Sequence, residues 1–147
     1  HATGWKTGYC LAPEALMKEF RKTHQFMVFA SNTPVQYALA EFLKDASNYS
    51  GLEAWFQAKR DAFAGLISGS RFGLTPAKGT YFQLLDYGKI SEDDEMDFAT
   101  YLVETHKVAA IPNSAFYAKP VNNKTLRFCF AKSDETLEKA AEILCKI

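Results

Sequence analysis

At 147 residues, with 48% hydrophobic and 14% aromatic residues, the chain is long and apolar enough to bury a core, which excludes a disordered protein. Its 17 basic and 17 acidic residues give a formal net charge of zero, so neither nucleic acid nor an anionic membrane is expected as a main partner. No apolar run approaches the roughly 20 residues of a membrane span, and no signal-peptide pattern opens the chain.

The three cysteines, Cys10, Cys129 and Cys145, include no CxxC pair. An odd number without metal-ligand spacing predicts neither a disulfide framework nor a zinc site, and it favours buried thiols in a reducing, cytoplasmic compartment. The chain opens with HATGWKTGYCLA, which has no initiator methionine and is typical of the interior of a folded protein. We therefore expect the chain to be the C-terminal part, or the only ordered part, of a longer protein.

The first third of the chain predicts one strand followed by two helices. Residues 5–12 have the pattern of a strand, and an apolar stripe after Pro13 predicts a helix over residues 13–24. A second helix is expected to begin at Thr33 and to end near residue 44. Thr33 is the predicted cap of this helix, Pro34 suits its first turn, and Gln36 completes a capping box.

The rest of the chain predicts a small sheet of about three strands covered by helices, a layered α/β sandwich. We expect a hinge at residues 49–51, with residues 1–48 and residues 49–147 in different domains. The predicted elements are a helix after Ser50, a strand over 80–87, a helix over 91–106, a short buried strand over 108–111, a strand over 125–131 and a helix over 134–146. In the helix over 91–106, Met96, Phe98, Leu102 and Val103 are expected to point inward.

The strand over residues 125–131 carries the strongest functional signal. Leu126, Phe128 and Phe130 alternate with Arg127 and Cys129, which predicts one apolar face on a core and one polar face. Arg127 is a permanent cation in the middle of this strand. It is either an edge-strand arginine in solvent or a rigidly mounted guanidinium that clamps a carboxylate through two parallel hydrogen bonds.

Two further sites are candidates for binding an anion. Lys6 is either an ordinary surface lysine or a point charge for a phosphate. The segment Ser31 to Thr33 opens a helix, so Thr33 either caps that helix or helps its N-terminus to bind an anion. An acidic cluster at residues 93–95 complements a helix dipole and does not predict a metal site. No nucleophile-and-base motif and no phosphate-binding loop of known spacing is present.

Four motifs resemble the class I/II aminotransferases, pyridoxal-phosphate enzymes of the fold-type-I superfamily. They are HATGWKTGY at residues 1–9, SNTPVQ at 31–36, GTYF at 79–82 and LRFCFAK at 126–132. The chain is most similar to the branch with methionine, kynurenine and glutamine-phenylpyruvate aminotransferases. The resemblance implies that residues 49–147 are the small C-terminal α/β domain, and that residues 1–48 hold the last strand and helices of the large cofactor-binding domain.

The resemblance also implies roles for individual residues. Lys6 would contact the phosphate of pyridoxal 5'-phosphate, and Arg127 would hold the substrate α-carboxylate. Ser31 and Thr33 would reach the cofactor site of the neighbouring subunit in a homodimer. The remaining substrate-binding candidates are Phe29, Ala30 and Tyr81.

The family's Schiff-base lysine would stand before His1, so the resemblance implies no catalytic residue within the chain and no activity for the 147-residue chain alone. The intact protein would transfer an amino group from a methionine-like, aromatic or glutamine-like amino acid to a 2-oxo acid. Two alternatives stay open. One is a β-lyase acting on cysteine conjugates on the same scaffold, and the other is a non-catalytic module for ligand binding or dimerisation.

Overall fold

A computed structural model describes residues 3–119 and 121–147 of the chain. The chain separates into two compact units, one that ends at Gly51 and one that runs from Leu52 to Ile147. Each unit is described by itself. The predicted boundary between residues 48 and 49, and the assignment of the two parts to a large and a small domain, stay predictions.

The first unit is built from helices. They are α1 (Glu14–Met27), α2 (Thr33–Phe42) and the short 3-10 helices Thr3–Trp5 and Ala46–Asn48. The strand predicted for residues 5–12 is wrong. In the described part of this unit every regular element is helical, so no neighbouring strand supplies the ladder hydrogen bonds that an extended segment needs.

The start of α2 differs from the predicted cap. The side-chain oxygen of Asn32 accepts a hydrogen bond from the Val35 backbone N–H at 3.2 Å, so Asn32 is the cap and Thr33 is the first helical residue. The Gln36 side chain reaches back and donates to the Ser31 carbonyl oxygen at 3.1 Å. Asn is among the best capping residues because its side-chain oxygen can satisfy an unpaired N–H in the first turn.

The second unit contains a four-stranded antiparallel sheet with strand order β1-β2-β4-β3. Its strands are β1 (Gly73–Leu74), β2 (Phe82–Asp86), β3 (Ile111–Pro112) and β4 (Thr125–Cys129). The sequence predicted about three strands, because β1 has only two residues and carries no detectable alternation. The short buried strand predicted over 108–111 is instead β3, which begins at Ile111.

Helices complete the second unit, which confirms the predicted α/β class. They are α3 (Leu52–Leu66), α4 (Glu95–His106), α5 (Asp134–Leu144) and a 3-10 helix at Asn113–Phe116. The core lies between helices and sheet, and the predicted inward face of β4 is confirmed, because Leu126, Phe128 and Phe130 are all buried. In the described part of the chain, no helix has the length and apolar character needed to cross a membrane.

Helix α4 buries a different face from the predicted one. Phe98 and Leu102 are buried as expected, but Met96 is 56% exposed and Val103 is 44% exposed, so their predicted inward orientation is wrong. The buried stripe is Glu95, Phe98, Ala99 and Leu102. These positions have the i, i+3, i+4, i+7 spacing of one helical face, and Met96 lies about 100° away from Glu95 around the axis.

The α4 helix also begins later than predicted. Asp94, not Ser91, caps it by accepting hydrogen bonds from the backbone N–H groups of Met96 and Asp97, both at 2.9 Å. The prediction of buried thiols is wrong as well. Cys10, Cys129 and Cys145 are all unpaired and exposed, and Cys129 projects from the outer face of β4 because the buried positions alternate with it.

Candidate functional site

Arg127 stands in the middle of the sheet. Strand β4 lies between β2 and β3, and Arg127 is paired directly with Leu84 on one side and with Ile111 on the other. The interpretation of Arg127 as an edge-strand arginine is therefore wrong. Because backbone hydrogen bonds hold both sides of this position, the base of the side chain is rigidly mounted.

Two aromatic rings flank the Arg127 guanidinium. Its central carbon lies 4.6 Å from the ring centroid of Phe82 and 4.6 Å from that of Phe116. Phe82 comes from the first position of β2, and Phe116 ends the 3-10 helix that follows β3. Each ring attracts the cation through its quadrupole, by about 0.5–1 kcal/mol at an exposed site and about 2 kcal/mol when desolvated. The side chain is half-buried, and these contacts restrict where it can point.

The N–H donors of the Arg127 guanidinium have no acceptor among the described residues. Within residues 3–119 and 121–147, no oxygen accepts a hydrogen bond from its guanidinium and no carboxylate lies within ion-pair distance. A guanidinium has five N–H donors in a planar fork that matches the two oxygens of a carboxylate. Aromatic contacts use the charge of the group and leave its N–H donors available. The site is therefore equipped to bind an external carboxylate.

Tyr81 joins this aromatic cluster from the segment before β2. Its ring lies edge-to-face against Phe82, with 5.6 Å between the centroids, and it is 51% exposed. The cluster thus connects Tyr81 to Arg127 through Phe82. Tyr81 also borders a cleft of about 330 Å³ between α3 and this segment. Thr80 beside it has φ 69°, a left-handed conformation that is costly for a β-branched residue and that is often found at functional sites.

Gln83 holds the segment before β2 in place. It is buried, and its side-chain nitrogen donates to the carbonyl oxygens of Thr75 at 2.7 Å and Leu84 at 2.8 Å. Its side-chain oxygen accepts from the Ala77 N–H at 3.0 Å. A buried side-chain amide that forms hydrogen bonds with three backbone groups holds the surrounding backbone in one conformation. These hydrogen bonds fix the path of the backbone that leads to Tyr81 and Phe82.

Glu95 is a buried carboxylate that binds backbone amides. Its two oxygens accept hydrogen bonds from the backbone N–H groups of Ser114, Asn123 and Thr125, and from the Thr125 hydroxyl. Burial alone would raise the pKa of Glu95, but the amide hydrogen bonds from Thr125, Ser114 and Asn123 outweigh it and hold the pKa below its ordinary value. Glu95 is therefore ionised at neutral pH. The sequence placed it in an acidic cluster at a helix start and missed this role.

The predicted cofactor-binding residues all lie in the first unit. Lys6 is exposed with φ 53°, and within the described residues no acidic side chain forms an ion pair with it. Thr33 is the exposed first residue of α2, and Ser31, half-buried, precedes the cap. No hydrogen bond or ion pair joins Lys6 to either residue in the part of the chain that the structure describes. Their phosphate-binding role stays a prediction.

Phe29 and Ala30, two of the predicted substrate-binding residues, form the link between α1 and α2. Phe29 is 82% exposed with φ 67°, a conformation that an aromatic residue rarely adopts. Its N–H donates to the His24 carbonyl at 3.0 Å, and the Ala30 N–H donates to Val28 at 2.8 Å. The strain at Phe29 is compatible with a site residue, and its role stays a prediction.

The sequence singled out Arg127 and Tyr81, whose roles stay predictions, but it did not single out the two aromatic residues that flank Arg127, Phe82 and Phe116. The position of Phe82 beside Arg127 follows from the pairing of Leu84 with Arg127, which only the structure shows. Phe116 ends a 3-10 helix of four residues, which is too short to show a periodic pattern.

The whole chain is similar to one protein family. The family model for aminotransferase class I and II matches residues 1–144. The methionine aminotransferase of Escherichia coli is 45% identical over 145 residues, which cover 98% of this chain and 38% of that protein. The kynurenine–oxoglutarate transaminase 3 of Rattus norvegicus is 36% identical over 163 residues, covering 96% of this chain and 36% of that protein.

Solved structures agree with these matches. The crystal structure of YbdL from Escherichia coli, which identified a methionine aminotransferase function, matches with a TM-score of 0.88 and 44% identity over 99% of this chain and 39% of that one. The N-succinyldiaminopimelate aminotransferase of Mycobacterium tuberculosis matches with a TM-score of 0.84 and 34% identity, over 99% of this chain and 38% of that one. The chain therefore spans less than two fifths of the length of these relatives.

Proposed function

The chain belongs to the class I and II aminotransferase family, and from that premise we propose that it supplies the substrate-carboxylate site of a pyridoxal-phosphate-dependent aminotransferase. The intact enzyme would transfer an amino group from a methionine-like, aromatic or glutamine-like amino acid to a 2-oxo acid. The names of the methionine and kynurenine relatives support the methionine-like and aromatic classes.

The observation that carries the proposal is the state of Arg127. Its guanidinium is held between Phe82 and Phe116, and its N–H donors have no acceptor among the described residues. Both substrates of a transamination, the amino acid and the 2-oxo acid, carry a carboxylate beside the reacting carbon. A rigidly mounted bidentate donor would hold that carboxylate and limit rotation about its bond to the reacting carbon.

The donor groups of the first unit fit a cofactor phosphate. Lys6 offers an ammonium without an ion-pair partner in the described chain, and Thr33 offers a hydroxyl in the first turn of α2, at the positive end of the helix dipole. Ser31 adds a second hydroxyl. We therefore assign phosphate binding to Lys6 in its own subunit, and to Ser31 and Thr33 at the cofactor site of the neighbouring subunit. When bound, pyridoxal phosphate supplies an electron sink for the charge left on the amino acid's α-carbon after its proton leaves.

We extend the proposal to a homodimer in the cytoplasm. Six large apolar side chains of the first unit are more than 70% exposed, and a surface of this kind is typical of an interface. They are Tyr9, Leu11, Phe26, Met27, Phe29 and Tyr37. In the assembled enzyme these residues would be covered, and Phe29 and Ala30 would meet substrate in the second subunit. The three unpaired cysteines suit a reducing compartment.

The first experiment tests Arg127 in the protein at its full natural length. Arg127→Lys should lower kcat/KM by the equivalent of about 2–4 kcal/mol, because a point charge cannot reproduce the bidentate fork. Arg21→Lys, the same change at an exposed position of α1, is the matched control and should behave as wild type. Near-normal kcat/KM in Arg127→Lys would disprove the assigned role.

A second experiment separates cofactor binding from substrate binding. Lys6→Ala should weaken retention of pyridoxal phosphate, measured as the cofactor absorbance left after dialysis, more than it changes the KM for the amino acid. Lys18→Ala, at an exposed position of α1, is the control. Equal retention in Lys6→Ala and Lys18→Ala would count against phosphate binding by Lys6.

Product analysis tests the reaction itself. Methionine, phenylalanine, kynurenine and glutamine would each be supplied with a 2-oxo acid, and the new amino acid would be quantified. A cysteine conjugate that yields free thiol and ammonia faster than any amino transfer would instead support β-lyase activity.

A further inference from the structure

We propose that Glu95 is the positioning residue of the Arg127 carboxylate site, because its buried carboxylate ties together the two chain segments that build that site. The inference rests on the proposed function, since it concerns how the Arg127 site is held in shape. Neither the family resemblance nor the predicted site residues assigned a role to Glu95.

Glu95 forms hydrogen bonds with the backbone at both ends of one loop. The loop runs from the 3-10 helix Asn113–Phe116 to the start of β4. One carboxylate oxygen of Glu95 accepts from the Ser114 N–H, at the loop's entrance. The other oxygen accepts from the Asn123 N–H at 3.1 Å and the Thr125 N–H at 3.0 Å, at its exit.

The two ends of this loop carry the two partners of the cation–π contact. Phe116 follows Ser114 by two residues, and its ring covers the guanidinium carbon at 4.6 Å. Arg127 follows Thr125 by two residues on the same face of β4. Together with the pairing of β3 and β4, the Glu95 side chain therefore holds the ring of Phe116 at a fixed distance from the strand that carries Arg127.

The chemistry of Glu95 suits this role and no substitute reproduces it. Three backbone N–H donors converge on two oxygens that only accept hydrogen bonds, so all three are satisfied. The glutamine amide has one oxygen and an NH₂ group. The N–H donors of that group would face a backbone N–H, which is also a donor. One end of the loop would then be left with an unsatisfied buried N–H, which destabilises that end.

The test uses the full-length enzyme with its cofactor. Glu95→Gln should raise the KM for the amino acid roughly tenfold, within the range of coupling between contacting residues, with a smaller change in kcat. Glu104→Gln, at an exposed position of the same helix, is the matched control and should leave KM unchanged. Exchange of the Ser114, Asn123 and Thr125 amide protons should accelerate in Glu95→Gln alone.

A double-mutant cycle separates positioning from a general loss of stability. If Glu95 acts through the carboxylate clamp, Glu95→Gln should add little to the KM of Arg127→Gln, and it should add less than its own roughly tenfold effect to that of Phe116→Leu. Fully additive effects on KM would overturn the inference. If Arg127→Gln alone leaves KM unchanged, the proposed carboxylate clamp itself is disproved, and with it this inference. A normal KM in Glu95→Gln, beside a raised KM in Arg127→Gln, would overturn the role of Glu95 alone.

Glu95→Asp covers the case in which Glu95→Gln does not fold. Aspartate keeps the negative charge at the start of α4, but its side chain is one methylene group shorter. Its oxygens would therefore lie farther from the three backbone amides. We expect a smaller rise in KM in the same direction and faster exchange of the same three amides. Wild-type KM and wild-type exchange in Glu95→Asp would overturn the inference.

Discussion

The guanidinium carbon of Arg127 lies 4.6 Å from the ring centroid of Phe116, although Phe116 ends the 3-10 helix that precedes the strand carrying Arg127. Phe82 approaches the same cation from the neighbouring strand at an equal distance. The cation is thus restrained by residues from two segments other than the strand that carries it. The affinity of this site for a carboxylate should depend on those segments as well as on Arg127.

Removal of one flanking ring should weaken carboxylate binding without abolishing it. Phe116→Leu keeps the apolar volume but loses the ring quadrupole, so the KM for the amino acid should rise two- to fivefold, the equivalent of about 0.5–1 kcal/mol. Tyr117→Leu is a matched control, because Tyr117 is the next residue and its described contact is with Asn113. Equal KM values for the two variants would show that the Phe116 ring does not contribute.

Truncation along α4 should distinguish the buried face from the exposed one. Leu102 is fully buried, so Leu102→Ala should lower the free energy of unfolding by about 2–5 kcal/mol through lost burial and a residual cavity. Met96 is 56% exposed, so Met96→Ala should cost less than about 1 kcal/mol. Urea unfolding of the two variants measures both values. A larger loss at Met96 would contradict the observed orientation of the helix.

The depressed pKa of Glu95 predicts a loss of stability in acid. Because the folded state favours the ionised carboxylate, the stabilisation is complete above the ordinary glutamate pKa of 4.5 and is lost as the pH falls through the lower folded value. Glu95→Gln should therefore be less stable than wild type at neutral pH and should lose less stability on acidification. Unfolding free energies measured from pH 7 to below the ordinary value test this, with Glu104→Gln as control. Parallel curves for wild type and Glu95→Gln would contradict the prediction.

Tyr87 should resist ionisation. Burial first, and then the negative charges of Glu95, Asp94, Asp93 and Asp86, raise its pKa from 10.0 to about 12. Its hydroxyl also donates to the Asp93 carbonyl oxygen at 3.0 Å. Because the folded state favours the neutral phenol, this stabilisation is present below pH 10 and is lost as the pH rises towards the folded value.

Ultraviolet titration of tyrosinate checks this prediction. The titration of this chain should include a late step from Tyr87, and Tyr87→Phe should remove that step. Tyr37→Phe, at a 74% exposed position, should leave it unchanged. A late step that survives in Tyr87→Phe would assign the shifted pKa to another residue.

Local patterns in the sequence were reliable where neighbouring residues decide the structure. Alternation along β4 predicted which residues face the core, because successive side chains in a strand point to opposite faces. The same alternation singled out Arg127 as a charge in the middle of a strand, but it left open whether the side chain lies in solvent or is rigidly mounted. Prediction failed for residues 5–12, because a strand is stable only with a partner strand and a sequence pattern cannot supply one.

The sequence by itself determined the family, the α/β class, the inward face of β4 and the position of Arg127, since these depend on residue order and short-range periodicity. Only the tertiary structure decided that β4 is an inner strand, that Phe82 and Phe116 flank Arg127, and that Glu95 turns inward to bind three amides. Contacts of this kind join residues far apart in the chain. They arise from sheet order and from the buried face of α4, both of which depend on how the whole unit minimises exposed apolar surface and unsatisfied polar groups.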